Sequence, residues 1–364
     1  MTRKPIKIAA LLPVREKLSK RQSGAVALSL RDFVAFSRHR AQTLILGSMP
    51  CDIEDVPYRQ LTDWRRWYLR DRLAYMRAAA DFARREGLAL VEAQNRPTIL
   101  TGLRKLLPDA KLALHLHNDP QEMEGTRSAA ARRRVLADAD AVYCVSNFVR
   151  SQFLENVGDD EGKVQVLYYG LDVAQIPKAA KEKIIVFAGR IVREKGVVEL
   201  IDAFARATKF LPGWRLVIAG EDKKGLLAGG QIRRDVAALG DRLVRLGRLG
   251  HEETMDLFAR AEIAATPAVW REPFGRTTME AMAAGCAVVS SGSGGSGEIL
   301  GECGLIVDPT NTQALAEALI ALADDPARRR DLQRRGAARA AAKFDIRIAA
   351  ARLDEARDRL LGRD

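Results

Sequence analysis

The stretch IIVFAGRIVREKGVVELIDAF, residues 184–204, decides how this chain folds. Its opening apolar run predicts a buried strand that ends at Gly189. A polar turn containing Arg190 and Lys195 follows, and near Gly196 the apolar residues begin to recur at helical spacing. A strand, a turn and a helix in this order form one unit of an α/β protein with a parallel sheet.

The same unit recurs in both halves of the chain, on either side of a polar hinge, QIPKAAKEK, at residues 175–183. The strand candidates are IKIAALLPV, QTLILGS, LALVEAQ, KLALHLH, AVYCVS and KVQVLYY before the hinge, and IIVFAGR, RLVIAGE, LVRLGRL, EIAATPA, CAVVSS and GLIVDP after it. The pattern predicts an α/β fold with two doubly wound, Rossmann-like lobes and an interdomain cleft. Ligands of such sheets bind beyond the carboxyl ends of the strands.

Composition and charge describe a globular protein with a basic bias. The 364 residues are 47% hydrophobic and 6% aromatic, which suits two domains and excludes a disordered chain. The formal net charge is +12, and residues 1–50 hold ten Lys and Arg against two Asp and Glu, an excess of eight. This bias favours an anionic partner, such as an anionic membrane surface or a nucleotide, or it serves solubility alone. No nucleic-acid-binding module is recognised, so nucleic acid is not expected as a partner.

The cysteines and the apolar runs indicate the cellular compartment. Four cysteines lie far apart and form no C-x-x-C pair, so neither a disulfide framework nor a zinc site is expected. The first apolar run is short and lacks a cleavage site of a signal peptide, and no run is long enough to span a bilayer. We therefore expect a cytoplasmic protein, with peripheral attachment to the inner face of the plasma membrane as a further option.

Arg190 and Lys195 follow the end of a strand and precede the start of a helix, an arrangement that suits a diphosphate. The two side-chain charges, the backbone N–H groups and the helix dipole would act on the same anion. Neither a Walker loop nor a G-x-G-x-x-G fingerprint is present. The alternative interpretation is a solvated basic loop.

The segment REPFGRTTMEAMAAG, residues 271–285, has carboxylates at Glu272 and Glu280, on either side of a Pro-Phe-Gly turn. Carboxylates accept hydrogen bonds from vicinal hydroxyls of a ribose or hexose, and the turn presents N–H groups to an anion. Gly285 and the run GSGGSGE, which ends at Glu298, permit close backbone approach. Two other interpretations stay open, namely the acid pair of a glycosidase, or helix caps and surface acids.

These motifs together resemble those of a retaining family 4 glycosyltransferase with the GT-B fold. FAGRIVREKG, AGED, EPFGRTTMEAMAAG, CAVVSSGSGGSGEI and GLIVDP match the family in order and spacing, and SGAVALSLRDF, VSNFVRSQF and KVQVLYYGLD match it more weakly. With the strand series, the resemblance implies an N-terminal acceptor lobe, residues 1–176, a linker, residues 175–183, and a donor lobe, residues 183–345. The final helix, residues 346–364, is expected to pack back on the N-terminal lobe, with Asp345 placed to cap it.

The resemblance implies roles for residues of the donor lobe. Arg190 and Lys195 would neutralise the diphosphate of the donor, where charge builds up in the transition state. Glu272 would face the donor sugar, Glu280 would bind the ribose hydroxyls, and Glu298 would lie nearer the base or ribose. Further donor contacts are implied for the backbone of Phe274, Gly275 and Arg276 and for the strand end Gly247, Arg248 and Leu249. Members of this family neutralise the donor with side chains and helix ends, so no metal and no cofactor are expected.

In the first lobe, the resemblance implies two contacts, and the sequence departs from the family twice. Gly24 would lie in the loop that approaches the phosphates, and His117, in LHLHNDP, would point at the sugar. Relatives often have two glycines where this chain has Ser23-Gly24, and they usually have asparagine where it has Tyr169, so Tyr169 receives no role. His115 and His117 are expected to face opposite sides of their strand, which leaves His117 as the candidate. The alternative is a structural histidine.

The helix predicted from Asp63 to Glu86 combines four aromatic side chains with five arginines in its first part, residues 63–80. Aromatic anchors beside cations suit a bilayer surface, where a lipid-borne acceptor would be presented. In the alternative interpretation the aromatic rings pack on the sheet and the arginines face water. The four aromatic residues are Trp64, Trp67, Tyr68 and Tyr75.

The predicted activity is transfer of a hexose from a nucleotide diphosphate sugar to a hydroxyl of a glycan or lipid-linked acceptor, with retention at the anomeric carbon. A UDP-sugar is the favoured donor, and GDP-mannose is the alternative. The acceptor would belong to a bacterial cell envelope, including lipopolysaccharide, or to an exopolysaccharide. The alternative without catalysis is an inactive protein of the same fold that binds a nucleotide sugar or an anionic surface.

Overall fold

The computed structural model describes residues 7–19, 23–61, 71–158, 160, 162–223 and 225–362. The chain divides into two units, of which unit 1 comprises residues 1–171 and 346–364 and unit 2 comprises residues 172–345. Each unit is built around one sheet of parallel strands with helices on its faces.

Unit 1 contains a seven-stranded sheet. Its strands are β1 (Ile8–Leu11), β2 (Thr43–Gly47), β3 (Tyr58–Gln60), β4 (Leu90–Gln94), β5 (Lys111–Leu116), β6 (Ala141–Cys144) and β7 (Val164–Val166). Their order across the sheet is β3-β2-β1-β4-β5-β6-β7, and every neighbouring pair is parallel. The six predicted strands of this half are confirmed. Strand β3 was not predicted, because this three-residue, largely exposed edge strand carries no apolar run.

The described residues of unit 1 form six α-helices. They are α1 (Ala25–Phe36), α2 (Asp71–Glu86), α3 (Pro97–Leu106), α4 (Ala129–Asp138), α5 (Asn147–Leu154) and the last helix of the chain, α13 (Ile346–Leu361). Helix α13 packs against α1, and the side chain of Arg357 in α13 has no exposed surface and reaches Glu92 of β4. The first and last parts of the chain are thereby joined in one unit.

Unit 2 contains a six-stranded parallel sheet whose six predicted strands are likewise confirmed. The strands are β8 (Glu182–Ala188), β9 (Arg215–Ala219), β10 (Leu243–Gly247), β11 (Ala261–Thr266), β12 (Ala287–Ser290) and β13 (Gly304–Ile306), in the order β10-β9-β8-β11-β12-β13. The helices are α6 (Val197–Ala207), α7 (Gly230–Leu239), α8 (His251–Arg260), α9 (Arg276–Ala283), α10 (Gly295–Leu300), α11 (Thr312–Asp324) and α12 (Pro326–Phe344). One face of the sheet packs on α6 and α11 through buried aliphatic and aromatic side chains.

The strand order of each sheet identifies the edge at which a ligand is expected. In unit 1 the chain proceeds from β1 toward β3 on one side and from β4 toward β7 on the other, so the direction reverses between β1 and β4. In unit 2 the reversal falls between β8 and β11. At such a switch point the loops after the two central strands diverge to opposite faces and leave a crevice at their carboxyl ends.

The helices, the possible metal ligands and the cysteines are the features that bear on the expectations about membranes, metals and disulfides. None of the helices within the described ranges combines the length and the apolar character needed to cross a bilayer. The described part of the chain contains no group of three or more His, Cys, Asp and Glu side chains arranged to hold a metal ion. All four cysteines are described, and none of them is in a disulfide.

Candidate functional site

The switch point of unit 2 brings together Lys195, from the turn after β8, and Glu272, from the loop after β11. Their ammonium and carboxylate groups form an ion pair between two half-buried side chains. Trp270 joins them, because its indole N–H donates a hydrogen bond of 2.9 Å to Oε1 of Glu272. The ring of Trp270 also lies 5.4 Å from Nζ of Lys195, within the range of a cation–π contact. A cation, a carboxylate and an aromatic ring therefore share one place at the end of the sheet.

A glycine allows the turn of Lys195 to lie directly against the loop after β11. Gly196 has a φ of +69°, and a Cβ at this position would overlap the carbonyl oxygen of Pro267. The main-chain N–H of Val269 donates to the carbonyl of Glu194 at 3.0 Å, which joins the two loops. Helix α6 starts immediately after this glycine, so its N-terminus points toward the same place.

The glycine-rich run after β12 holds the loop of Glu272 by backbone contacts. Gly294 pairs with Glu272 as an isolated parallel bridge, and the N–H of Gly295 donates to the carbonyl of Glu272 at 2.6 Å. Gly294 has a φ of +64°, and a Cβ there would overlap the backbone of Glu272. These glycines therefore permit a close approach to another loop of the chain itself, the loop of Glu272. This contact fixes the carboxylate of Glu272 beside Lys195.

Glu280 lies in α9 and is 6% exposed. Nε of Arg276, one turn earlier in the same helix, donates a hydrogen bond of 2.7 Å to its Oε1. Nδ1 of His251, the first residue of α8, lies 3.7 Å from the same oxygen. The second acid of the motif is therefore a buried carboxylate beside two basic side chains, and the sequence analysis foresaw neither neighbour's contact with it.

The other residues predicted to bind the donor base and phosphates lie at strand ends of the same sheet. The side chain of Arg190 is exposed after β8, and Leu249 is half-buried after β10. Gly247 ends β10 with a φ of +69°. Arg248 is exposed, and its guanidinium lies 3.9 Å from the carboxylate of Glu221.

The remaining predicted donor contacts flank the Glu272 loop. Phe274 is buried, and its ring packs edge-to-face on that of Phe344 at 6.2 Å. Gly275 precedes α9 with a φ of +94°. Glu298 is half-buried in α10, and its main-chain carbonyl accepts a hydrogen bond of 2.8 Å from Arg339. Of the predicted acids, Glu272 lies beside Lys195, whereas Glu298 lies in the first turn of α10.

In unit 1, Gly24 lies at the N-terminus of α1, where the resemblance places the loop that approaches phosphates. The carboxylate of Glu16 lies against this position, since a Cβ on Gly24 would overlap Oε1 of Glu16. Burial raises the pKa of Glu16, although hydrogen bonds from the backbone of Ala27 and Gly24 and the charge of Arg96 oppose the shift. The helix N-terminus is therefore occupied by a carboxylate of the chain itself.

His117 lies directly after β5 and is held by three hydrogen bonds. Its ring Nε2–H donates to Oε1 of Gln94 at 2.8 Å, and its Nδ1 accepts from the hydroxyl of Tyr169 at 2.6 Å. Its main-chain N–H donates to Oδ1 of Asn95 at 3.1 Å. The rings of His117 and Tyr169 are stacked, with centroids 5.5 Å apart and planes 16° apart.

The hydrogen bonds of His117 are those of a neutral imidazole, in which one nitrogen donates and the other accepts. Burial lowers the pKa of His117 well below its ordinary value, and the neighbouring His115 adds to the shift. The two rings lie 6.3 Å apart at an angle of 19°, so the expectation that they face opposite sides was wrong. Residues two apart along a strand share a face, so both imidazoles lie on the same side of the sheet.

Tyr75 is the aromatic residue of the arginine-rich segment whose side chain can be placed either on the sheet or at a bilayer surface. Its side chain is fully buried, and its hydroxyl donates to the carbonyls of Leu12 and Leu46, at 3.1 and 2.9 Å. Tyr75 therefore packs on the sheet. The other three aromatic residues of this segment, Trp64, Trp67 and Tyr68, lie outside the described residues.

The residues of these clusters that were not predicted from the sequence include Gln94, Tyr169, Trp270 and His251. Gln94 is the last residue of its strand, so the rule that ligands bind at strand ends could have identified it. Trp270 stands two residues before Glu272 and had the same signal. No sequence pattern indicated that Tyr169 contacts His117, because Tyr169 lies in a loop after β7, far from His117 in the sequence.

Two family models match the chain. The model described as Glycosyltransferase Family 4 matches residues 37–175, and the model described as Glycosyl transferases group 1 matches residues 171–339. Together they span most of both units.

Two curated relatives and one solved structure agree with these models. A Bacillus subtilis protein named as the glycosyltransferase YtcC is 27% identical over 286 residues, which are 71% of this chain and 70% of the relative. The glycogen synthase of Mycobacterium tuberculosis is 32% identical over 218 residues, and the match spans 58% of this chain but only 52% of that enzyme. The crystal structure of Anabaena HepE in complex with UDP has a TM-score of 0.78 at 21% identity, over 96% of this chain and 99% of HepE. This likeness confirms the predicted α/β fold.

Proposed function

We propose that this chain, which belongs to the family 4 glycosyltransferases of the GT-B fold, transfers a hexose from a nucleotide diphosphate sugar to a hydroxyl group, with retention at the anomeric carbon. The observation that carries the proposal is the meeting of Lys195, Glu272 and Trp270 at the switch point of the unit 2 sheet. A lysine beside a helix N-terminus suits a diphosphate, and a carboxylate beside it suits sugar hydroxyls.

The proposed roles follow from what each side chain offers. Lys195, with Arg190 on the same turn, neutralises the diphosphate, where negative charge increases as the sugar leaves. Glu272 accepts hydrogen bonds from the sugar, and its position is fixed by Trp270 and by the backbone of the glycine-rich run. Glu280 accepts from the ribose hydroxyls, because its carboxylate is buried but retains acceptor capacity beyond the bond from Arg276.

The same geometry supports a mechanism in which the diphosphate leaves and the acceptor hydroxyl attacks on the same face of the sugar. Oε1 of Glu272 already accepts hydrogen bonds from the ammonium of Lys195 and from the indole N–H of Trp270. A carboxylate stabilised by two donors is a weak nucleophile. In the proposed step, the bond between the anomeric carbon and the phosphate oxygen breaks, and a bond to the acceptor oxygen forms on the same face. The proton of the acceptor hydroxyl passes to the departing phosphate oxygen, and Lys195 stabilises the diphosphate that results.

We further propose that transfer needs no metal, because side-chain cations and the N-terminus of α6 supply the positive charge. The measurement is turnover of the donor in excess EDTA against turnover in Mg²⁺. Equal rates are expected, whereas loss of activity in EDTA that Mg²⁺ restores would contradict this part of the proposal.

A UDP-sugar is the proposed donor, with a GDP-sugar as the second candidate. HepE, which shares the fold, was crystallised with UDP, and this supports uridine without deciding the base. The first experiment is a screen of UDP- and GDP-sugars, read by protection from thermal unfolding. One nucleotide sugar is expected to raise the melting temperature and to be hydrolysed slowly without an acceptor. The product's anomeric configuration, measured by NMR, then tests retention, and protection by no nucleotide sugar would overturn the proposed function.

The proposed acceptor is a hydroxyl of a glycan or lipid-linked glycan of a bacterial envelope or exopolysaccharide, presented at an anionic membrane surface on the cytoplasmic side. The excess of eight positive charges in residues 1–50 supports attraction to such a surface. Vesicles that contain phosphatidylglycerol should sediment the protein at low salt and release it at high salt, whereas neutral vesicles should not bind it. Equal recovery with both kinds of vesicle would contradict the membrane part of the proposal alone.

A further inference from the structure

We propose that Glu272 discriminates between the nucleotide sugar and the free nucleoside diphosphate that remains after transfer, because its carboxylate competes with the terminal phosphate of this product for the ammonium of Lys195. The inference rests on the proposed function, which seats the donor diphosphate at Lys195 and the sugar at Glu272. It adds a role in product release to the acid that faces the sugar. Every side chain that it uses belongs to unit 2.

The ion pair of Lys195 and Glu272 lies where a ligand can reach it. The side chain of Lys195 is 22% exposed and that of Glu272 is 15% exposed. Lys195 ends the turn after β8 and Glu272 lies in the loop after β11, and the strand order of unit 2 reverses between these two strands. Salt screens half-buried charges less than it screens charges at the open surface. A phosphate that binds to Lys195 therefore also experiences the charge of Glu272.

The carboxylate of Glu272 is held by groups other than Lys195. The indole N–H of Trp270 donates to its Oε1 at 2.9 Å, and the main-chain N–H of Gly295 donates to its carbonyl at 2.6 Å. Lysine, in contrast, carries three donors at the end of a flexible side chain, and these can be redirected toward a phosphate. We therefore assign Trp270 as the positioning residue, which keeps the carboxylate in place when the ammonium turns to a ligand.

The nucleotide sugar and the free nucleotide bring different charges to this pair. In the nucleotide sugar the second phosphate is esterified, and hydroxyls of the sugar are proposed to donate to Glu272. After transfer, the terminal phosphate has a further ionisation with a pKa of about 6, so it carries additional negative charge near pH 7. The sugar donors are then gone, and two anions remain beside the ammonium of Lys195. Because like charges placed side by side oppose binding, Glu272 weakens the product more than the donor.

This competition has a consequence for turnover. Lys195, Arg190 and the N-terminus of α6 all attract negative charge, so by themselves they would hold the more highly charged product more tightly than the donor. The product would then inhibit the next reaction. A carboxylate that is neutralised by sugar hydroxyls before transfer, but not after it, reverses part of this preference.

The experiment compares Glu272→Gln with wild type by calorimetric titration with UDP and UDP-glucose, or with GDP and GDP-mannose if the donor screen selects them. Glutamine keeps the size of the side chain and an oxygen acceptor, but it has no charge. We expect the affinity for the free nucleotide to rise by about tenfold and the affinity for the nucleotide sugar to fall. Glu302→Gln removes an exposed charge elsewhere in unit 2 and should leave both affinities within about twofold.

A third ligand separates the effect of charge from the loss of sugar contacts. The methyl ester of the terminal phosphate of UDP, or of GDP, lacks both the sugar and the further ionisation. The gain in affinity that Glu272→Gln shows for this ester should be several-fold smaller than its gain for the free nucleotide. Equal gains would mean that Glu272 opposes the diphosphate as a whole, and they would overturn the discrimination.

Trp270→Phe tests the positioning role. Phenylalanine keeps a ring beside Lys195 but has no N–H to hold the carboxylate of Glu272. The ratio of the two affinities should shift by a few-fold in the same direction as in Glu272→Gln, and inhibition of turnover by the free nucleotide should strengthen by the same factor. A ratio equal to that of wild type would overturn the positioning role of Trp270.

The outcomes separate this inference from the proposed function. If wild type binds no nucleotide sugar, the proposed function and this inference both fall. If wild type binds one, and Glu272→Gln binds the free nucleotide no more tightly than wild type does, only the discrimination is overturned. Should Glu272→Gln not fold, Glu272→Asp, which withdraws the charge by one methylene group, is titrated with the same three ligands. It should show the same changes to a smaller degree, and affinities equal to those of wild type would overturn the inference.

Discussion

The guanidinium of Arg357 in α13 and the carboxylate of Glu92 in β4 form a two-point ion pair with no exposed surface. Nε lies 2.9 Å from Oε1, and Nη2 lies 2.7 Å from Oε2. Nη1 also donates to the hydroxyl of Ser37 at 3.2 Å, so the pair is extended by a hydrogen bond to the residue after α1. Because Glu92 lies in β4, this pair attaches the last helix to the central strand of the unit 1 sheet.

Replacement of Arg357 by leucine should destabilise unit 1. The change leaves the carboxylate of Glu92 buried without a counter-charge, which costs about 3–5 kcal/mol in comparable cases. Urea unfolding followed by circular dichroism gives the free energy of unfolding. Arg352→Leu, in an exposed position of the same helix, is the control and should change it by less than about 0.5 kcal/mol. Equal effects of the two variants would show that the pair contributes no stability of its own.

The same pair predicts how stability depends on pH. Burial acts to raise the pKa of Glu92, but the charge and hydrogen bonds of Arg357 outweigh it and hold that pKa far below its usual range. A carboxyl with a lowered pKa in the folded state stabilises the protein above its unfolded pKa, about 4.3, and loses this contribution as the pH falls toward the folded value. The free energy of unfolding should therefore decrease between about pH 5 and about pH 2.5. The decrease should be smaller in the double variant Glu92→Gln, Arg357→Met, and an unchanged slope there would assign the acid sensitivity to other groups.

Replacement of Lys195 by methionine should lower kcat by about 10²-fold. The ammonium is proposed to stabilise charge that develops on the diphosphate, and loss of one such donor has this order of effect in other enzymes. Turnover of the nucleotide sugar is the measurement. Arg193→Met removes an exposed cation two residues earlier in the same turn and should leave kcat within about twofold. Comparable losses in both variants would indicate a general effect of charge on the turn.

Replacement of Glu280 by glutamine should weaken binding of the free nucleotide by about tenfold to a hundredfold, which is the worth of a charge-assisted hydrogen bond. The substitution keeps the size of the side chain but removes the charge that Arg276 faces and that the ribose hydroxyls are proposed to face. Calorimetric titration with UDP and GDP measures the affinity. The exposed Glu302→Gln is the control, and full nucleotide affinity in Glu280→Gln would remove the ribose assignment.

Replacement of Gly294 by alanine should both destabilise unit 2 and reduce activity. A Cβ would overlap the backbone of Glu272, and a φ of +64° disfavours any other residue, so the loop that holds the carboxylate must move. The expected loss of stability is about 1–3 kcal/mol. Gly229→Ala is the matched control, since no atom lies within 4 Å of its added Cβ and its φ is negative. A Gly294→Ala variant with the stability and turnover of wild type would contradict the packing role.

The strands of both sheets could be predicted because parallel strands buried on both faces leave continuous apolar runs in the sequence. The motif around Glu272 and Glu280 could also be predicted, since its turn and its acids lie within one short segment. The pairing of Lys195 with Glu272 could not, because it depends on two loops brought together by strand order.

The cluster around His117 shows a different limit. A resemblance made His117 a candidate, but its hydrogen-bond partners could not be predicted, because Gln94 and Tyr169 come from distant parts of the sequence. Hydrogen bonds between loops depend on side-chain directions that no periodicity encodes. The error over His115 and His117 was of another kind, since strand geometry alone was sufficient to place both rings on one face.

The return of α13 to unit 1 has a consequence for biosynthesis. Residues 172–345 form an uninterrupted unit that can acquire its native structure while translation continues. The first 171 residues leave the ribosome earlier, yet their central strand carries a carboxylate whose counter-ion is added only when residue 357 is synthesised. We expect the half of the protein that is made first to mature last, so that nascent chains arrested before residue 346 resist proteolysis in unit 2 but not in unit 1.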